Sequence, residues 1–144
     1  MRRTGTLAAL GLLLAMTLAA CAGKRVEPAP PAAMPNHQVQ AIAENMLAAY
    51  NLDDYQAFSR DLSLPAKLIV DEDTFAEFRT ENLPVTGAFM AVTSVQPEPA
   101  KPGHDHVRYL VQAQFQHLSV VALVLTLSPD GQVEGLELYP HTGW

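Results

Sequence analysis

Few places in this 144-residue chain gather side chains suited to chemistry. The tightest is His104-Asp105-His106. On extended backbone, residues i and i+2 project to the same side, so the two imidazoles can face one metal ion. A full protein site needs a third ligand. The strand that follows runs away from His106, and about eleven residues at about 3.3 Å each put His117 on the order of 35 Å off. His141 falls at that same far end, two strands from His117, which leaves Asp130 as the only helper near His106. The expectation is a solvated loop mouth, with no metal centre and no cofactor. Asp71-Glu72-Asp73 hints at a calcium loop, but Phe75, Ala76 and Phe78 stand where such a loop needs oxygen donors and glycine. A charged helix start explains the run better.

Acid–base chemistry needs a carboxylate or imidazole held out of water beside its substrate. Asp53, Asp54 and Tyr55 begin a helix, Tyr109 lies in a strand, and Glu134 and Glu137 fall on opposite faces of the last strand, so one of that pair must turn inward. No Gly-rich phosphate loop, Ser-His-Asp elbow or Cys-His pair accompanies them. A non-catalytic domain is expected, with a hydrolase- or isomerase-type enzyme as the alternative.

The elements that must position these groups follow from periodicity. Asn36 is placed to cap a helix whose apolar residues, Val39, Ile42, Ala43, Met46, Ala49 and Tyr50, recur at three- and four-residue steps. Asp53 or Asp54 opens a short second helix with Tyr55 and Phe58. Pro65 interrupts, and Leu68-Ile69-Val70 is left without an element. Asp71 caps a third helix bearing Phe75, Phe78 and Leu83, which Pro84 ends. From Val85 the pattern changes to a loose alternation as far as Gln96. Val107 to Gln116 alternates strictly, as a half-buried strand does. Ser119 to Leu127 is apolar on both faces, as a central strand is. Ser128-Pro129-Asp130-Gly131 is a hairpin turn before a last strand, Gln132 to Tyr139. The fold class is therefore α+β, three N-terminal helices packed on a curved four-stranded antiparallel meander sheet. Phe89, Met90, Tyr109 and Phe115 are candidates for an apolar ligand pocket inside it. Leu110, Val121, Leu123 and Leu125 are candidates for an outer face through which copies of the chain associate as a homodimer or scaffold.

The N-terminal third differs in kind. Met1-Arg2-Arg3 is basic, and Leu7 to Ala20 is uncharged and apolar. About fourteen residues at about 1.5 Å each reach about 21 Å, short of a ~30 Å hydrocarbon core, as in a secretory signal peptide. Leu18-Ala19-Ala20-Cys21 resembles the lipobox of bacterial lipoproteins. The resemblance implies cleavage between Ala20 and Cys21, and lipid on Cys21, the sole cysteine. Absence of an aspartate directly after Cys21 implies the outer membrane, facing the periplasm. The divisions are residues 1–20 as signal peptide, 21–35 as lipidated cysteine and Pro/Ala-rich tether, and 36–144 as folded domain. Loss of Arg2 and Arg3 takes the charge from −6 to about −8, which repels nucleic acid and anionic lipid heads and leaves the acyl chains to hold the membrane.

Asn51-Leu52-Asp53-Asp54-Tyr55, Leu83-Pro84-Val85-Thr86-Gly87 and Asp130-Gly131-Gln132-Val133-Glu134-Gly135-Leu136, in that order of helices and strands, resemble small bacterial domains of unknown function in the nuclear transport factor 2-like, cone-shaped superfamily, over residues 36–140. The resemblance implies ligand-binding modules, scaffolds and a few enzymes. The expected role is a lipid-anchored envelope protein that binds a partner protein or a small apolar ligand.

Overall fold

The computed structural model describes residues 29, 31–99 and 103–140. The expectations for Ala20, Cys21, the signal segment, most of the tether and His141 lie outside those residues. No helix among the described residues is long and apolar enough to cross a membrane.

Helix α1 spans Asn36–Leu52 and buries Val39, Ala43, Met46, Leu47, Ala49 and Tyr50 on one stripe. Asn36 does not cap it. Pro35 occupies that position with no side-chain bond, its carbonyl accepting from Gln38 N–H at 2.9 Å. Asn36 stands inside the first turn instead, and its amide reaches across to donate to the Val95 carbonyl at 3.0 Å. Asp53 closes α1 in the left-handed region, at φ 58. Three capping side chains then start three helices in succession. Asp54 accepts from Ala57 N–H before α2 (Tyr55–Ser59), Ser63 from Ala66 N–H before α3 (Leu64–Ile69), and Asp71 from Thr74 N–H before α4 (Glu72–Thr86).

The helical layer thus has four members, α3 being the short one that the sequence left without an element. Pro84 does not end α4, which runs on to Thr86 and closes on Gly87 at φ 70. Proline deprives the Thr80 carbonyl of its helical donor. Thr80 is exposed, so water serves that carbonyl and the interruption costs little.

The sheet is an antiparallel meander in the order β1 (Phe89–Pro97), β2 (Val107–Phe115), β3 (Val121–Leu127), β4 (Val133–Pro140). Tyr109 pairs with Leu125, Val111 with Leu123 and Ala113 with Val121. These six share the face turned to the helices, and each is at most 1 % exposed. Val121, Leu123 and Leu125 are therefore core residues, and the expected association face loses them. Only Leu110 of that group lies on the outer face, opposite Val124. In a strand apolar on both sides, the register with β2 decides which set points inward.

Three register shifts shape the edges. On β1, Phe89 pairs with Phe115 and Ala91 with Gln114, then Val92 with Ala113 and Ser94 with Gln112. Met90 and Thr93 are extra residues, each a β-bulge. On β4, Val133 pairs with Leu127 and Gly135 with Thr126, so Glu134 is extra in the same way. Leu62 forms a parallel bridge to Val133 and continues the sheet past β4.

Candidate functional site

The space between helices and sheet is filled by side chains. Tyr50, Tyr109, Phe58, Phe75 and Met46 are the largest of a set under 2 % exposed. At the far end of the sheet, Phe78, Tyr50, Phe115 and Phe89 form a chain of edge-to-face rings, with centroids 6.0, 6.3 and 5.8 Å apart in turn. Phe58 and Phe75 meet at 4.6 Å beneath the short helices. Phe89 and Phe115 are thus packed on each other and on the core. Met90 is 61 % exposed, because the bulge that makes it extra turns it out of the interior. Tyr109 lies at the opposite end and donates to the Met34 carbonyl at 3.1 Å. The four pocket candidates do not line one cavity.

Tyr109 does border a small recess of about 210 Å³ with Met34, Pro35, Val107, Leu127 and Pro129. Pockets for organic ligands usually run from about 300 to 1,000 Å³. This one suits a few waters or a short apolar chain. Met34, which precedes helix α1, also rests against Gly131 of the β3–β4 hairpin.

Acid–base groups are kept outside the core. Its buried polar side chains are Ser59, Ser63 and Thr86, and no described Asp, Glu or His is buried. Thr86 Oγ1 meets the Tyr50 hydroxyl at 3.3 Å, and burial pushes that phenol up from its ordinary value. Burial likewise raises Tyr109. Both phenols stay protonated at neutral pH and serve as structural hydrogen-bonding groups. Tyr55 donates to the Val70 carbonyl at 2.8 Å, and Asp53 lies 3.5 Å from Arg79 Nη1 at the surface. Neither Glu134 nor Glu137 faces inward. The bulge at Glu134 lets Val133 and Leu136 both point to the core, and both carboxylates go to solvent. Strict alternation would have turned one of them in.

His104 and His106 are brought together, with ring centroids 5.1 Å apart, and Asp105 Oδ1 lies 3.7 Å from His106 Nδ1. Asp130 accepts from Ser128 Oγ at 2.6 Å inside its own turn, and this hydrogen bond holds its carboxyl below the usual range. No three His, Cys, Asp or Glu side chains converge as a metal site among the described residues. His117 is exposed beside Gly87 at the other end of the sheet. Asp71 caps α4, and Glu72 and Asp73 are exposed in its first turn.

One surface has no counterpart in the sequence reading. Helix α3 leaves Leu64, Leu68 and Ile69 exposed by 73, 78 and 73 %, while only Ala66 is buried. The signal was present as LPAKLI between a serine cap and an aspartate cap, an apolar run too short for a helical period to show.

No family model, no curated protein and no solved structure matches the chain.

Proposed function

We propose that this chain is a lipid-anchored envelope protein whose α+β domain works without catalysis, by binding a partner protein through helix α3. The N-terminal basic, apolar and LAAC segments support the anchor, and their pattern supports the outer membrane, facing the periplasm. The order of helices followed by a four-stranded meander supports kinship with the nuclear transport factor 2-like superfamily.

One observation carries the binding role. Three large aliphatic side chains stand in water on a single six-residue helix. Burying each is worth about 1.5–3 kcal/mol, and clustered apolar exposure of this kind marks association surfaces. Asp71, Glu72 and Asp73 border the helix and are exposed. The matching surface is therefore an apolar groove rimmed by lysine or arginine. Self-association is opposed by the negative charge of each copy, and an internal small-molecule site by the filled core.

A photoreactive residue replacing Leu68 in the full-length chain, in intact cells, tests the role, with Leu110 as the control position. The adduct expected from position 68 is absent from position 110. Its purified partner binds the native chain and loses at least about tenfold in affinity when Leu68 and Ile69 are changed to serine. An adduct equal from both positions, or affinity indifferent to those serines, sinks the proposal.

A further inference from the structure

His106 is the last residue before β2, and the ladder between β1 and β2 continues one step past β1 through a 2.8 Å bond from Glu98 N–H to the Arg108 carbonyl. His104 and His106 thus ride on chain that is leaving a fixed ladder, at i and i+2. His104 is exposed and His106 partly so. Their separation has a chemical meaning. With a zinc–nitrogen bond of about 2.0–2.1 Å, an imidazole centroid lies about 3.2 Å from the ion it binds. Two such rings with centroids 5.1 Å apart subtend about 105° at a shared ion, near the tetrahedral angle that zinc adopts.

The residue between them fits the same role. Asp105 Oδ1 lies 3.7 Å from His106 Nδ1, near it but beyond hydrogen-bond distance. Drawn in to hydrogen-bond distance as an ion binds, this carboxylate would hold the proton on Nδ1 and leave Nε2 as the donor, the usual outer support of a metal-binding histidine. Arg108, the nearest cation in sequence among the described residues, is occupied 3.3 Å from Glu98.

We propose that His104 and His106 form an open zinc site, two imidazoles on one Zn²⁺ with water completing the tetrahedron. With two protein ligands and no third converging side chain among the described residues, the site exchanges its ion readily and discriminates by imidazole chemistry. Hard cations such as Mg²⁺ and Ca²⁺, which take oxygen ligands, are not its cargo. The site is independent of helix α3 and of the lipid.

Calorimetric titration of untagged, metal-free, full-length protein with Zn²⁺ tests the proposal. One ion is expected to bind with half-saturation below about 100 µM, and X-ray absorption of the complex is expected to count two imidazoles. His104→Gln and His106→Gln, each alone, weaken binding at least about tenfold, and His117→Gln leaves it unchanged. Both loop positions are solvent-facing, so the variants keep the fold. Absence of binding below about 100 µM, retention of binding in either variant, or an equal loss in His117→Gln overturns the site.

Discussion

The carboxamide of Asn51 clamps the backbone of Phe89 from both sides: Oδ1 accepts from Phe89 N–H at 2.8 Å and Nδ2 donates to the Phe89 carbonyl at 2.9 Å. One side chain from the last turn of α1 thus stands in for a neighbouring strand at the first residue of β1. It ties the helical layer to the sheet edge, where backbone groups otherwise lack a partner. Asn51→Ala strips two partly buried backbone groups of their partners and is expected to cost about 1–3 kcal/mol. Asn51→Asp keeps the acceptor but sets a carboxylate against the Phe89 carbonyl, and should cost at least as much. Urea unfolding reads both, and an unchanged midpoint for Asn51→Ala denies the clamp any energetic role.

The bulge on β1 turns Met90 away from the rings that Phe89 and Phe115 bring together, and substitutions at Met90 and Phe115 differ accordingly. Met90→Gln, at an outward position, should leave stability within about 0.5 kcal/mol. Phe115→Ala removes a ring that touches both Tyr50 and Phe89 in the core and should cost about 3–5 kcal/mol. Were Met90 part of an interior ligand site, its substitution would shift the thermal midpoint by more than a few degrees.

Gly87 joins α4 to β1 at φ 70, a conformation that side chains with a Cβ rarely adopt. A Cβ there would stand 2.8 Å from Gln116 Cβ and 3.0 Å from His117 Cγ. Those neighbours are fixed, since Gln116 N–H bonds the Ala88 carbonyl and His117 N–H the Thr86 carbonyl. Gly87→Ala is expected to cost about 1–3 kcal/mol from backbone strain alone, with the close contact adding to it. A variant that unfolds at the native midpoint would show that the connection relaxes freely.

Strand β2 was legible because its alternation is unbroken, Val107 to Phe115, with every second residue buried. Strand β1 was legible only as a loose alternation that began too early, at Val85 instead of Phe89, for a physical reason. Phe89, Val92 and Val95 are three apart, a spacing that belongs to neither a strand nor one side of a pleat. Two bulges add one residue each between them, and all three then pack on the core. Glu134 hides a third bulge, which is why one glutamate was expected inside and none is there. The outer face was misread for a different cause. Val121, Leu123 and Leu125 carry no polar alternation that reveals their direction, and only pairing with Tyr109, Val111 and Ala113 supplies it. Whether aromatics line a pocket or fill one depends on how their volumes meet, and spacing along the chain does not contain that. The closeness of the two histidines, by contrast, follows from the i, i+2 rule and was visible from the start.

Asp71 offers a pH handle on the helical layer. Its carboxylate accepts from Thr74 N–H at 2.9 Å, and that hydrogen bond holds its pKa below the ordinary 3.8. A carboxyl depressed in the folded state contributes stability above its unfolded pKa, and that contribution is lost as pH falls through the folded one. The native chain should therefore lose part of its thermal midpoint on acidification below about pH 4, while Asp71→Asn, which still caps but does not titrate, should show a shallower decline over that window. Parallel curves for the two would remove the cap from the acid response.

The anchor can be tested apart from the domain. A single acyl chain binds a bilayer only marginally, while two or more hold it stably, at about 0.8 kcal/mol for each buried methylene. An acidic domain supplies no compensating attraction to anionic lipid, so on the proposed anchor membrane residence would rest on Cys21 alone. Cys21→Ser should move the protein to the soluble envelope fraction or leave it uncleaved, with the domain's unfolding midpoint unaltered. Intact mass should show the native chain starting at Cys21 and carrying acyl mass on its sulfur. A free thiol at that terminus, or a serine variant that still fractionates with membrane after cleavage, removes the lipid from the account and leaves helix α3 to be tested on a freely diffusing domain.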